Sequence, residues 1–124
     1  MNIVIWYNSK DKKMSQTVKK IQHWIQTAPL LQGYLIQLYE FPVAVEQADV
    51  GFLFGNNREE ITTYASQARA VGMQVIFTEN LEPEYVLGCI DITPFVCYMK
   101  SDKKTMILRL QEILTKWEKR YRKR

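Results

Sequence analysis

Histidine and cysteine are scarce in this chain of 124 residues, which contains one histidine and two cysteines. His23 has no Asp, Ser or Cys at a spacing that suggests a catalytic partner. Metal centres and most hydrolase sites need clustered His, Cys or carboxylate side chains, so both are disfavoured. Cys89 and Cys97 do not form a Cys-x-x-Cys motif. We interpret them as buried, reduced thiols rather than as a disulfide.

Long hydrophobic runs and glycine-rich loops are also missing. No uninterrupted apolar run approaches the ~18 residues that a membrane span needs, and Met1 leads directly into a predicted strand rather than into a secretory signal. These features predict a cytoplasmic protein that does not contact a membrane. The loop at residues 8–15 contains no glycine, so it cannot wrap a flavin or nucleotide phosphate by close backbone approach. We therefore expect no small-molecule cofactor.

Positive charge is concentrated at the C-terminal end. The formal net charge is +4, and six of the last nine residues are Lys or Arg, opposed only by Glu118. Residues 1–115 contain 11 basic and 12 acidic residues, so this part is neutral overall. A general nucleic-acid-binding surface would spread Lys and Arg over one face with aromatic residues between them, and the sequence predicts no such face in residues 1–115. We interpret residues 116–124 as a helix end or linker rather than as a DNA-binding element.

Apolar clusters along the chain alternate between strand-like and helix-like periods. Strands are predicted at residues 3–7, 34–39, 50–54 and 73–78, and immediately before Lys100. Strands that are apolar on both faces and alternate with helices favour a parallel sheet covered on both sides. We therefore predict an α/β, three-layer, doubly wound, five-stranded parallel sheet of the flavodoxin-like or receiver-like class, with strand order 2-1-3-4-5. Only residues 41–48 are available for helix two, and Pro42 lies early in them, so that helix is predicted to be short or missing.

Two other helices have clearer signals. Apolar residues from 14 to 25 repeat at helical spacing, and Pro29 closes that helix. Asn57 followed by Glu60 resembles a capping box at the start of the next helix. Gly72 is predicted to end it.

The stretch from Tyr85 to Lys100, YVLGCIDITPFVCYMK, is a predicted short helix and turn followed by an apolar strand that ends on a lysine. It resembles the last third of a bacterial response-regulator receiver domain. The resemblance is greatest to LytTR-type regulators, in which a YAL-x-AF-E-V-x-A-F-x-YLLKP pattern precedes the final helix. The matching residues are Tyr85, Leu87, Ile90, Asp91, Ile92, Phe95 and Lys100.

This resemblance implies a receiver-like domain at residues 1–115. Residues 116–124 would then be a basic helical extension or linker toward an output domain outside this chain. The family function that it implies is signal-dependent control of DNA binding through dimerisation.

The resemblance also identifies the positions of receiver phosphorylation chemistry. Receivers phosphorylate an aspartate at the end of strand three, beside an Mg²⁺ held by two acidic side chains after strand one, and a lysine after strand five pairs with the phosphoryl oxygens. Here Phe54 takes the place of the nucleophile, and Tyr7 and Asn8 replace the acidic pair. Glu79 aligns with the Thr or Ser that ends strand four, with Thr78 one step away. The degenerate phospho-site therefore comprises Tyr7, Asn8, Phe54, Thr78, Glu79 and Lys100.

Only the lysine of the reactive set is clearly retained at these positions. We therefore predict no catalytic residue, no metal site and no enzymatic activity. Both remaining positions also have a purely structural interpretation. Phe54 would fill the core, and Lys100, without acidic partners, would pair with Glu79 or reach solvent.

The predicted final helix, from an N-cap at Ser101 to at least Trp117, has an unusually wide apolar face. One stripe comprises Met106, Leu110, Ile113 and Trp117. A second stripe at near-heptad spacing comprises Ile107, Leu110, Leu114, Trp117 and Tyr121. Because two stripes exceed what packing within one chain is expected to require, we predict that the second contacts a second copy of the chain or a partner domain.

These features together predict an atypical, phosphorylation-independent receiver domain of a transcription regulator that acts by protein–protein interaction or dimerisation. DNA would be bound only through the output domain. The first alternative is a freestanding interaction or adaptor domain, and the second is a small flavodoxin-like ligand-binding domain or enzyme. A reading frame that continues past Arg124 into a β-rich basic domain would favour the regulator, and a bound anion or cofactor at the strand ends would favour the second alternative.

Overall fold

Short parallel strands form one sheet in the computed structural model, which describes residues 1–42, 48–78, 95–98 and 103–121. Its order is β2-β1-β3-β4-β5, and each neighbouring pair is parallel. The predicted class, a parallel α/β sheet flanked by helices, is confirmed. The strands are β1 (Asn2–Trp6), β2 (Gln37–Glu40), β3 (Val50–Phe54), β4 (Met73–Thr78) and β5 (Phe95–Tyr98).

Helices cover both faces of this sheet. The described α-helices are α1 (Lys12–Thr27), α2 (Arg58–Gln67) and α3 (Lys103–Tyr121), with a 3₁₀ turn at Pro29–Leu31. On one face, apolar residues of α1 and α3 pack against β1, β3 and β4. On the other face, α2 packs against alternate residues of the same strands. Within the described residues, no helix is long and apolar enough to cross a membrane.

The side chains of β3 show how the sheet is buried on both sides. Phe52 and Phe54 face α1 and α3, whereas Leu53 faces α2, and all five residues of the strand are buried. Gly51 also lies on the α2 side, where an added Cβ would come within 3.2 Å of both the Trp6 ring and the Val71 side chain. A glycine therefore lets the Trp6 indole lie against the centre of the sheet.

Two boundaries differ by three or more residues from the sequence-based prediction, whereas β1 is shifted by one residue from the predicted 3–7. The strand predicted at 34–39 begins at Gln37, because pairing with β1 starts at the Asn2–Gln37 register, while Tyr34 lies in the turn after the 3₁₀ segment. The second described helix ends at Gln67 with Ala68 as its cap, not at Gly72. Gly72 instead directly precedes β4, where a Cβ would approach the Asp49 carbonyl oxygen to 3.2 Å. Helix two was predicted to be short or missing within residues 41–48. Residues 43–47 of this segment lie outside the described residues.

The capping-box prediction for α2 is correct in one half. The Asn57 side chain accepts a hydrogen bond from the Glu60 backbone N–H at 2.9 Å. The Glu60 carboxylate reaches one residue further back than expected and accepts from the Asn56 backbone N–H at 3.0 Å. Glu60 thereby orders the loop that follows β3.

The wide apolar face of α3 is used inside the chain. Ile107, Leu110 and Leu114, predicted to form an intermolecular stripe, are 5%, 2% and 2% exposed and belong to the same core as Met106 and Ile113. The face is wide because α3 packs against the sheet and also contacts α1 and the 3₁₀ turn. The reason for placing these three residues at an interface is therefore removed. The side chains of Trp117 and Tyr121 lie outside the described part.

A polar contact fixes α3 against the segment after α1. Tyr34 Oη lies 2.8 Å from Thr115 Oγ1. Because the Thr115 hydroxyl already donates to the Gln111 carbonyl at 2.7 Å, Tyr34 must be the donor in this pair.

Candidate functional site

The carboxyl ends of parallel strands meet at one edge of the sheet, where ligands bind in this fold class. Tyr7 and Asn8 follow β1 at this edge, Phe54 ends β3, and Thr78 ends β4. The structure thus brings these predicted positions to a single edge. Glu79, Lys100 and residues 85–94 of the receiver-like motif lie outside the described residues, and the Thr78 backbone pairs with Tyr98 of β5.

Phe54, at the nucleophile position, is part of the core. Its side chain is 1% exposed. Its ring stacks on Phe77 with centroids 4.5 Å apart and an interplanar angle of 4°, and it meets the edge of Phe52 at 6.5 Å. A hydrocarbon ring in this position offers no atom that could accept a phosphoryl group. The surroundings of Phe54 agree with the structural interpretation, in which its ring fills the core.

Tyr7, which replaces one acidic residue, is anchored to the end of β2. It is half-buried and packs against the core on the α1–α3 side. Burial raises the pKa of Tyr7 above its ordinary value. A hydrogen bond to the Glu40 carboxylate and the charge of that group raise it further, against a smaller opposite effect of a hydrogen bond with Ser15. Gln22 Nε2 also donates to Glu40 Oε1 at 3.3 Å. The phenol therefore stays protonated.

Asn8, at the second acidic position, shapes the loop before α1. It is exposed, and its side-chain oxygen accepts from the Lys10 N–H at 3.1 Å. Its carbonyl accepts from the Asp11 N–H at 3.0 Å. These bonds form a tight turn that delivers Asp11 to the start of α1.

Asp11 links two loops at this edge, a role that the sequence reasoning missed. Its Oδ1 accepts from the Met14 N–H at 3.1 Å, which caps α1. Its Oδ2 accepts from Asn56 Nδ2, in the loop after β3, at 2.9 Å. The Met14 hydrogen bond lowers the pKa of Asp11 most; the Asn56 bond and nearby Lys13 lower it further, and partial desolvation opposes them. The two loops are thus connected directly by a carboxylate–amide hydrogen bond.

The bridge lies in a shallow open groove. It has a volume of about 280 Å³ and is lined by Asp11, Lys13, Met14, Thr17 and Asn56. In the part of the chain that the structure describes, no group of three or more His, Cys, Asp or Glu side chains could hold a metal ion. At the described edge, the Asp11 carboxylate thus accepts a hydrogen bond from the Asn56 amide and the Glu40 carboxylate accepts one from the Gln22 amide.

The sequence carried only weak signals for these missed residues. An Asp immediately before an apolar helical repeat is a common N-cap, and this pattern could have identified Asp11. No local pattern indicates that Asn56 contacts Asp11 or that Glu40 contacts Gln22. Both contacts depend on the strand order, in which β1 lies between β2 and β3.

Comparison with solved structures places this architecture among known folds. The chain is similar to RcsB, a response-regulator protein from Salmonella enterica serovar Typhimurium, in a structure bound to promoter rprA in the presence of the phosphomimetic BeF₃⁻. The TM-score is 0.59 at 11% sequence identity. The fold is receiver-like.

The match covers 89% of this chain and 66% of the RcsB chain, so it spans slightly less than two thirds of that protein. At this identity, the similarity concerns the receiver-like fold alone. No protein-family model matches the sequence, and neither does any curated protein.

Proposed function

We propose that this chain is a receiver-like domain of a transcription regulator that works without phosphorylation, by contact with a second copy or with a partner domain. The observation that carries this proposal is the burial of Phe54 and its stacking on Phe77 at the position of the phospho-acceptor. A receiver-like fold without an acceptor carboxylate retains its surfaces for binding other proteins. It has no route to an acyl phosphate at this position.

The Asp11–Asn56 bridge supports the same proposal. In a receiver, the loops after strands one and three are brought together around a metal ion and a phosphoryl group. Here the Asp11 carboxylate and the Asn56 amide connect these loops directly at 2.9 Å. A direct bond fixes the edge in one arrangement, so the domain would present a constant surface rather than a switched one.

The phosphorylation half of the proposal is tested by intact mass. The protein is incubated with acetyl phosphate and Mg²⁺ beside a receiver domain that has the acceptor aspartate and the acidic pair. We expect no mass change in this protein and one phosphoryl group on the control. A phosphoryl adduct on this chain that hydroxylamine removes would contradict the proposal, because acyl phosphates react in that way.

The regulator half of the proposal concerns DNA recognition. RcsB is bound to promoter DNA in the structure to which this chain is similar. By analogy, we propose that sequence-specific recognition belongs to an output domain outside these residues. The full reading frame past Arg124 tests this directly. A β-rich basic domain there supports the regulator, and its absence favours the adaptor alternative.

A further inference from the structure

The outward surfaces of α1 and α3 are basic, and the two helices lie in contact on one face of the sheet. α1 contains four lysines and no acidic residue. All four are exposed. Among the described side chains of α3, residues 103–116, four basic ones are exposed, against one exposed acidic residue, Glu112. The exposed basic residues of this α1–α3 face are Lys12, Lys13, Lys19, Lys20, Lys103, Lys104, Arg109 and Lys116.

The described residues of the opposite face do not share this charge. On the α2 side, exposed Arg58 and Arg69 are balanced by Glu59 and Glu60. Residues 1–115 are therefore neutral in total but not in distribution. This distribution has no local signal in the sequence, because the lysines of α1 and α3 are far apart along the chain and their helices meet only through the fold.

We propose that the α1–α3 face binds the phosphate backbone of a nucleic-acid duplex. The basic residues span about 12 Å of α1, from Lys12 to Lys20, and about 20 Å of α3, from Lys103 to Lys116, at 1.5 Å per residue. These lengths match about four and six base-pair steps along the axis of a duplex at about 3.4 Å each. The charges lie on the first nine residues of α1 and are spread over the described side chains of α3. Cations distributed over two neighbouring helices suit a linear polyanion.

Two features favour nucleic acid over an acidic protein. Protein interfaces depend on apolar anchors, and among the described residues Leu108 is the only exposed large hydrophobic residue on these two helices. Lys20 also holds its ammonium 5.7 Å from the centre of the Trp24 ring, so an aromatic residue lies within the basic row. Seven of the eight cations are lysines, which bind phosphates as point charges, so the binding is expected to be largely independent of sequence. It would add affinity to any specific recognition made by another domain.

The test is the binding of a fluorescein-labelled DNA duplex, followed by anisotropy. The probe has about 20 base pairs, and affinity is measured between about 50 and 200 mM NaCl, where the number of neutralised phosphates sets the salt dependence. The test variant is Lys12→Gln with Lys19→Gln on α1. The matched control is Arg58→Gln with Arg69→Gln on α2. Both variants remove two exposed positive charges from the same net charge of +4.

We expect the α1 variant to weaken binding by about tenfold or more. It should also lower the slope of log affinity against log salt by about two, because each substituted lysine no longer neutralises one phosphate. The α2 control should leave both quantities within error of the wild type. Circular dichroism should show that both variants are folded, because all four positions are exposed.

Three results would overturn the proposal. The first is no measurable binding of the wild type at low salt, and the second is an equal loss in both variants, which would reflect net charge rather than this face. The third is competition by poly-glutamate as effective as that by unlabelled DNA at equal charge. That outcome would assign the face to acidic proteins.

Discussion

The stacked rings of Phe54 and Phe77 are buried in the core at the carboxyl edge of this sheet. Phe54→Asp would place a carboxylate where the ring is 1% exposed, and loss of a buried Phe side chain alone costs about 3 to 5 kcal/mol. An unpaired buried charge adds to that cost. We expect the Asp variant to lose most of its stability in urea unfolding and to stay unphosphorylated. Phe54→Leu is the control and should lose less, since it remains apolar. An Asp variant that unfolds at the wild-type midpoint would show that this ring is not part of the core.

At the scale of the elements, the strands were the most predictable part. The bounds of β3 and β4 agree with prediction, because continuous apolar runs flanked by Asp49 and Gly72 leave little choice of register. The edge strand β2 was predicted three residues too early, since Tyr34 is apolar enough for a strand but donates its hydroxyl to Thr115 of α3. The hydrogen bond between Tyr34 and Thr115 is a tertiary contact, so no local sequence pattern predicts it.

The candidate site was predicted only in part, for a related reason. A resemblance to receivers located Tyr7, Asn8 and Phe54, but the polar groups that hold the edge together belong to different loops. Asp11 and Asn56 are 45 residues apart and bond across neighbouring strands. Sequence spacing within one segment cannot reveal such a pair.

The Asp11 bridge joins the start of α1 to the loop before α2, and it should give these elements a pH-dependent stability. Its pKa is lowered in the folded state, so its contribution is present above the unfolded value and is lost as pH falls through the folded value. Asp11→Asn keeps a capping oxygen but removes the charge. We therefore expect the urea midpoint of the Asn variant to be below the wild type at pH 6. The gap should begin to narrow as pH falls below the unfolded value of about 4 and should close only below the lowered folded pKa. A gap that stays equal over this pH range would mean that the charge of Asp11 does not matter.

On the scale of the whole molecule, the two sides of the sheet differ in surface charge. The α2 side carries balanced charge, whereas α1 and α3 combine a shared apolar core with a basic exterior. Self-association through the basic exterior would bring like charges together and is disfavoured at low salt. A homodimer through α3, where Leu108 is exposed, would bury part of this basic exterior and should therefore become tighter as salt screens the lysines.

Substitutions of two leucines on α3, Leu114 and Leu108, should affect folding and self-association separately. Leu114 is 2% exposed, whereas Leu108 is 42% exposed on the same helix. Leu114→Glu buries a charge in the core, so we expect it to unfold the monomer. Leu108→Glu should leave the circular dichroism spectrum and urea midpoint unchanged, because its side chain already reaches solvent. Light scattering over a concentration series up to hundreds of micromolar should show the wild type increasing in mass and the Leu108 variant remaining monomeric. If the wild type stays monomeric throughout, the proposed contact would be with a partner domain rather than with a second copy. A Leu114 variant that folds normally would contradict the assignment of Leu114 to the core.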